Sequence, residues 1–350
     1  MSPVPVRRLW PTLVVAAVAW LGVRQWGTET AAHPAAPTMA GAVARAEAAF
    51  AAVDARKRAA RLPLRTDSPV PWAALLGEEF TPLTTTLGSL QAKEVATNPA
   101  WAALLVGWLH DAGVRPGDAV GLTASGSFPG LIVCALAAVQ ELGARPVLVV
   151  SLGSSAYGAN LPEATWLDLA AWVAEAGILD TQAAAVTIGG EEDRGEGMLP
   201  EGPILLAAAA ARHGVRLEIP AALDEAIALR LQVLGAERPA ALVNVGGGQA
   251  ALGRCPHAAT LPSGPWGSHR PCTCPERGVL ARLQDQGVPV IHLLEVRTLA
   301  ARHGLDPEPG RQYRDLQGAD RIVRTSRTWV VGALLLIAAA AVRIGHTPLG

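Results

Sequence analysis

Hydroxyl, amide and bare backbone groups recur in this chain in turns that directly follow short apolar runs. One such turn is Ser125-Gly-Ser-Phe-Pro-Gly130, a second is Ser151-Leu-Gly-Ser-Ser-Ala-Tyr-Gly-Ala-Asn160, and a third is Gly246-Gly-Gly-Gln-Ala250, preceded by Asn244. Such groups suit a carboxylate or a phosphate, because backbone N–H groups in a concave turn hold an anion without a cation. The candidate ligand-binding set is therefore Ser125, Gly126, Ser127, Ser154, Ser155, Asn160, Asn244, Gly247, Gly248 and Gln249. The first turn has no lysine and so is not a Walker A loop. It also lacks the paired glycines of a nucleophile elbow. The third turn fails as a dinucleotide fingerprint, since Ala251 stands where the last glycine is needed. The plain alternative is a set of tight turns in which glycine supplies unusual backbone angles and serine caps the following helix.

For catalysis, Ser125 or Ser127 is a candidate nucleophile and His292 a candidate base, with Glu191 or Glu192 as the orienting acid. Triads of this kind are defined by geometry and not by order along the chain. His292 lies in an apolar run and reads equally well as a core histidine. Glu191-Glu-Asp-Arg194 reads equally well as a solvated charged loop. No motif specifies a cofactor. Cys255, His257, His269, Cys272 and Cys274 cluster in a Pro/Gly-rich excursion over 254–276 and offer thiolate and imidazole ligands for zinc. Their spacing, C-P-H and then H-x-x-C-x-C, matches no common metal pattern, and a loop-closing disulfide accounts for it as well. Cys134 sits in an apolar helical stretch and reads as a buried small hydrophobe.

The elements that must position these turns follow from periodicity. Short apolar runs at 119–124, 146–150, 184–188, 216–219, 241–245 and 288–293 alternate with helical patterns. That alternation predicts an α/β fold with a mostly parallel, doubly wound, Rossmann-like sheet. Ligands in such sheets sit beyond the carboxyl ends of the strands, where all three turns fall. The α/β domain is placed at 81–310, after a linker and an alanine-rich juxtamembrane helix at 27–80, and a basic linker follows at 311–328.

Two apolar stretches, Leu9 to Val23 and Trp329 to Val342, bracket everything polar. With tryptophans at the interfaces and Arg343 snorkelling, they predict transmembrane helices at 1–26 and 329–345. Ala31-Ala32-His33 is a poor cleavage site, which favours an uncleaved first anchor over a signal peptide. Arg7 and Arg8 favour a cytoplasmic N-terminus and an extracytoplasmic domain, whereas Arg321, Arg324 and Arg327 vote the other way. The reading adopted is a cell-membrane protein with its domain outside, because the first helix usually dominates. A net charge of −1 with no basic, aromatic-laced patch excludes nucleic acid as a partner.

Thr84-Thr-Thr-Leu-Gly-Ser-Leu-Gln-Ala-Lys-Glu-Val-Ala-Thr-Asn-Pro99, Ser125-Gly-Ser-Phe-Pro129, Leu152-Gly-Ser-Ser-Ala-Tyr-Gly-Ala-Asn160 and Asn244-Val-Gly-Gly-Gly-Gln-Ala250 together resemble the poly-gamma-glutamate system protein family. The resemblance covers most of 80–305 and the flanking anchors; the cysteine excursion departs from it. It implies a bacterial membrane component of capsule-type polymer synthesis or export, with the synthase and export proteins as partners and an anionic polymer or small carboxylate as ligand. It carries over no catalytic residues. The function expected is thus an accessory membrane protein, with a hydrolase or transferase acting through a loop serine as the alternative.

Overall fold

The computed structural model describes residues 6–267, 274–308 and 320–345. The chain forms two compact units, one from 1–34 with 321–350 and the other from 35–320. In the first unit, α1 (Val6–Trp26) and α12 (Arg327–Gly345) pack on each other. Strands Thr28–Ala32 and Arg321–Thr325 pair antiparallel beside them. Among the described residues no helix is long and apolar enough to cross a membrane. Arginines 7, 8 and 24 lie within α1, and Arg327 opens α12. The two helices expose many apolar side chains, such as Trp10, Val18, Leu21, Leu334 and Leu335.

The second unit is built on a seven-stranded sheet. Its strands are β1 (Ala119–Ser125), β2 (Arg145–Ser151), β3 (Ala183–Thr187), β4 (Leu217–Glu218), β5 (Ala241–Val245), β6 (Gly264–Trp266) and β7 (Val290–Leu293). Their order across the sheet is β4-β3-β2-β1-β5-β7-β6. All neighbours are parallel except β6, which lies antiparallel on the β7 edge. The mostly parallel α/β architecture expected from periodicity is present. β6 was not expected, because three residues of Gly-Pro-Trp inside the excursion carry no strand pattern.

Side chains of β1 and β2 alternate between two cores, as a period of two requires. Val120, Leu122, Leu148 and Val150 enter one core with α4 (Ala100–Asp111), α5 (Pro129–Glu141) and α6 (Trp166–Glu175). Ala119, Val147 and Val149 enter the other with α8 (Leu223–Ala236) and α10 (Val279–Asp285), and α7 (Gly202–Arg212), α9 (Gln249–Leu252) and α11 (Val296–Arg302) also belong to this unit. Helices on both faces oblige the strands to be apolar throughout, which is why they read as continuous runs and not as alternations. The alanine-rich helix α2 (Ala36–Ala59) belongs to this unit. It buries Met39, Ala42, Ala46, Phe50 and Val53 against α4 and α5, so it packs within the α/β core.

The chain winds outward from β1 to β4 and then returns to the other side of β1 as β5. The turns after β1 and β5 consequently part in opposite directions. This is the topological switch point, where an open parallel sheet leaves a crevice.

Candidate functional site

A cavity of about 520 Å³ lies at that crevice, walled by the turns after β1, β2, β3 and β5 and by residues 85–93. Seven of the ten expected ligand residues line it: Ser125, Ser127, Ser155, Asn244, Gly247, Gly248 and Gln249. The volume lies in the usual range for small-molecule sites.

The other three lie behind the wall. Asn160 is fully buried and pegs the preceding segment in place. Its amide accepts from the Glu78 N–H at 3.0 Å and donates to Glu78 O at 2.8 Å and Thr84 Oγ1 at 3.0 Å. Ser154 is also buried, and its carbonyl accepts from Thr85 N at 2.8 Å. Gly126 packs so closely that a Cβ there would meet Leu152 O at 2.9 Å. Asn160 and Ser154 hold the segment from Glu78 to Thr85 across the mouth of the sheet. That brings α3 (Leu90–Val95), opened by a Ser89 cap, to the cavity.

The first turn does not hold an anion in the expected way. The N–H groups of Gly126, Ser127 and Phe128 are taken by Ser151 O, Ser125 Oγ and Ser125 O respectively. Neither serine caps α5, whose N-cap is Phe128 with no side-chain bond. Instead the hydroxyls face one another: Ser125 Oγ and Ser127 Oγ lie 2.9 Å apart, and Ser127 Oγ accepts from Ser155 N at 3.0 Å. The third turn is different. Gly246 turns the chain at φ +97°, a conformation that favours glycine. At Gly248 a Cβ would meet nothing within 4 Å, and at Gly247 only Leu294 Cδ1 at 3.5 Å. Among the described residues the N–H groups of Gly247, Gly248 and Gln249 have no protein acceptor. Bare backbone with open donors thus borders the cavity. The Gln249 side chain ties this turn to the β3 loop, accepting from Glu192 N at 2.8 Å.

Lys93 is the residue that sequence reasoning passed over. It is 3% exposed and lines the cavity. Its Nζ donates to Ser127 O and to Ser155 Oγ, the latter at 2.7 Å, and lies 3.7 Å from the centre of the Phe128 ring. No carboxylate pairs with it among the described residues. Burial pulls its pKa down to about 7, because desolvation disfavours the ammonium form. The resemblance to the poly-gamma-glutamate family quoted this lysine within a motif, but no local pattern marked it. Its partners are 34 and 62 positions away.

The triad with His292 does not form. His292 is fully buried, is absent from the cavity wall and bonds through Nδ1 to the Asn244 amide at 2.8 Å. The amide's donor role puts the ring proton on Nε2, which has no partner among the described residues. Burial lowers the pKa to about 4, so the ring is neutral at pH 7 and a weak base. It supports Asn244 from behind, which matches the core-histidine alternative.

The acidic loop is partly structural. Glu191 lines the cavity, and the Glu192 carboxylate pairs with Arg194 and Arg254. Asp193, beside them, forms a buried pair with Arg230 of α8 at 2.6 Å. Arg230 also reaches Ser151 Oγ at 2.9 Å and Thr187 Oγ1 at 3.1 Å, while Asp193 accepts from Thr187 Oγ1 and Gly189 N at 2.8 Å. Beside this pair, Glu192 and Asp193 adopt φ +53° and +65°. Left-handed backbone at non-glycine residues persists only where surroundings enforce it.

In the cysteine excursion, Cys255 and Cys274 form a disulfide with Cα atoms 6.1 Å apart. His257 is exposed, and His269 and Cys272 lie outside the described residues. Cys134 is buried, and burial raises its thiol pKa above the usual range. Comparison with known proteins finds no family model, no curated protein and no solved structure that matches this chain.

Proposed function

We propose that this chain is an accessory membrane protein of poly-gamma-glutamate synthesis or export, whose α/β unit binds a carboxylate- or phosphate-bearing ligand in the switch-point cleft. One observation carries the ligand class: the open N–H groups and unobstructed glycines at 247–249, set on a cavity of about 520 Å³. Such a nest holds one anionic group at a time. It suits a small carboxylate, or the end of a carboxylate polymer, better than a long run of charge. The process is inferred from the resemblance in four segments, all of which border this cleft.

Membrane attachment is supported by the exposed apolar side chains of α1 and α12, which soluble proteins rarely display in such density. The extracytoplasmic reading is supported by the Cys255–Cys274 disulfide, since such bonds persist in oxidising compartments. Partners would be the synthase and export components. Deleting the gene in a polymer-producing host and complementing with wild type or Gly248→Val tests the function. Loss of surface polymer restored only by wild type is expected. Unchanged polymer yield and chain length after deletion would remove the assignment.

A further inference from the structure

We propose that Ser155 and Lys93 form a nucleophile–base pair, and that the cleft transfers the acyl group of an amide or ester whose acyl part carries a second carboxylate. This deepens the carboxylate-binding reading and rests on it: the glycine turn would hold the carboxylate while the pair, on the same cavity, meets the carbonyl.

Four observations support the pair. Ser155 Oγ lies 2.7 Å from Lys93 Nζ, within proton-transfer reach. Ser155 is only partly buried and lines the cavity, so a substrate reaches it. Lys93 is enclosed without a carboxylate, a setting that favours the neutral amine, and its pKa near 7 fits a base. Finally, only glycine fits beside the pair: a Cβ at Gly88 would meet Ala156 O at 2.8 Å and stand 3.4 Å from both Ser155 Oγ and Lys93 Cε. The Gly88 N–H has no protein acceptor among the described residues, so it is the donor assigned to the developing oxyanion. Ser127 is a positioning residue. Its carbonyl fixes one Nζ hydrogen, and its hydroxyl accepts from Ser155 N.

In the neutral amine one N–H serves Ser127 O, and the lone pair accepts the Ser155 hydroxyl proton. Ser155 Oγ bonds to the carbonyl carbon as the C=O π pair moves onto oxygen. When that pair returns, the bond to the leaving nitrogen or oxygen breaks, and the leaving group takes the proton from Lys93. Water or an acceptor amine then attacks the Ser155 ester and gives its proton to Lys93. Ser155 Oγ leaves and recovers that proton. Atoms and charges balance with water or an amine as the only co-reactant.

The test uses the full chain in detergent micelles, a fluorophosphonate probe and peptide mass mapping. The expected result is an adduct on Ser155 whose formation rate rises with pH through about 7. Ser155→Ala should abolish it, and Lys93→Met and Lys93→Arg should each slow it about 100-fold or more, since arginine keeps the charge but accepts no proton. Labelling at another serine, no labelling of folded wild type, or a rate that is flat from pH 5.5 to 8.5 would overturn the proposal. The wild-type pH profile stands even where a Lys93 variant fails to fold. Calorimetric titration of Ser155→Ala with a γ-linked glutamate dipeptide separates the two claims. Binding without labelling of wild type sinks the pair and keeps the ligand reading. Labelling of Ser155 without dipeptide binding keeps the pair and sinks both the ligand reading and the substrate class.

Discussion

Lys93→Met removes the buried amine while keeping the length of its stem, and its effect on stability should depend on pH in a defined direction. The ordinary lysine value is 10.5, and in the folded chain burial lowers it to about 7. Between these values the unfolded chain holds a proton that the folded chain has released. Stability of the wild type therefore rises with pH across that window, by about 1.4 kcal/mol per unit. From pH 7 to pH 9 the gain is about 3 kcal/mol, and below about pH 7, where both states are protonated, it vanishes. The methionine variant has no such slope. It loses the bonds to Ser127 O and Ser155 Oγ, about 1 kcal/mol each, at every pH. Lys57, also buried and lowered to about 8, is present in both proteins and cancels. The assay is thermal unfolding of both full-length proteins in detergent. It is followed by near-ultraviolet circular dichroism of the buried Trp101 and Trp166, at pH 6, 7, 8 and 9. The difference in stability should shift toward the wild type by about 3 kcal/mol, or roughly 6 °C in Tm, between pH 7 and 9. Parallel curves would refute the assignment of a desolvated, unpaired lysine.

Three other perturbations are expected to act separately. Arg230→Met leaves Asp193 charged and buried beside Thr187 and should lower stability by about 3–5 kcal/mol, read as a loss of Tm. Gly126→Ala pushes a Cβ to 2.9 Å from Leu152 O, so the loop must shift; about 1–3 kcal/mol of stability should be lost, with weaker ligand binding by titration. His292, lowered by burial from 6.5 to about 4, contributes stability that is present above pH 6.5 and fades as pH falls toward 4. That is about 3 kcal/mol, so His292→Gln should show a shallower acid limb in pH-dependent melts.

The central strands were legible because they are buried on both faces: Ala119–Ser125 and Ala241–Val245 are continuous apolar runs, and no helix pattern fits them. The switch-point turns were legible for the same reason, since each directly follows such a run. What escaped was everything set by contacts distant in sequence. Lys93 sits on a six-residue helix with no periodicity to read, and burial by Phe128 and the serine loops, not its neighbours in sequence, gives it its chemistry. Asn160 carries the same amide as a ligand residue would, but the Glu78–Thr84 segment closes over it and makes it a structural peg. Ser125 and Ser127 read equally as caps or ligands; only their mutual bond and the Phe128 cap position decide that they are not caps. The end segments were legible as apolar helices. Among the described residues neither is long and apolar enough to cross a membrane.

The central claim is that bare backbone at the β5 turn receives an anionic group. Gly248→Val tests it most directly, because the added side chain enters space where nothing lies within 4 Å of the Cβ, so the fold should be unaffected. Calorimetric titration of wild type and variant with glutamate, a γ-linked glutamate dipeptide and inorganic phosphate should show one ligand bound by the wild type. For that ligand the variant's Kd should be at least about tenfold weaker, equivalent to about 1.4 kcal/mol, at unchanged Tm. Equal affinity in the two proteins, or no binding of any of the three by the wild type, would contradict the account.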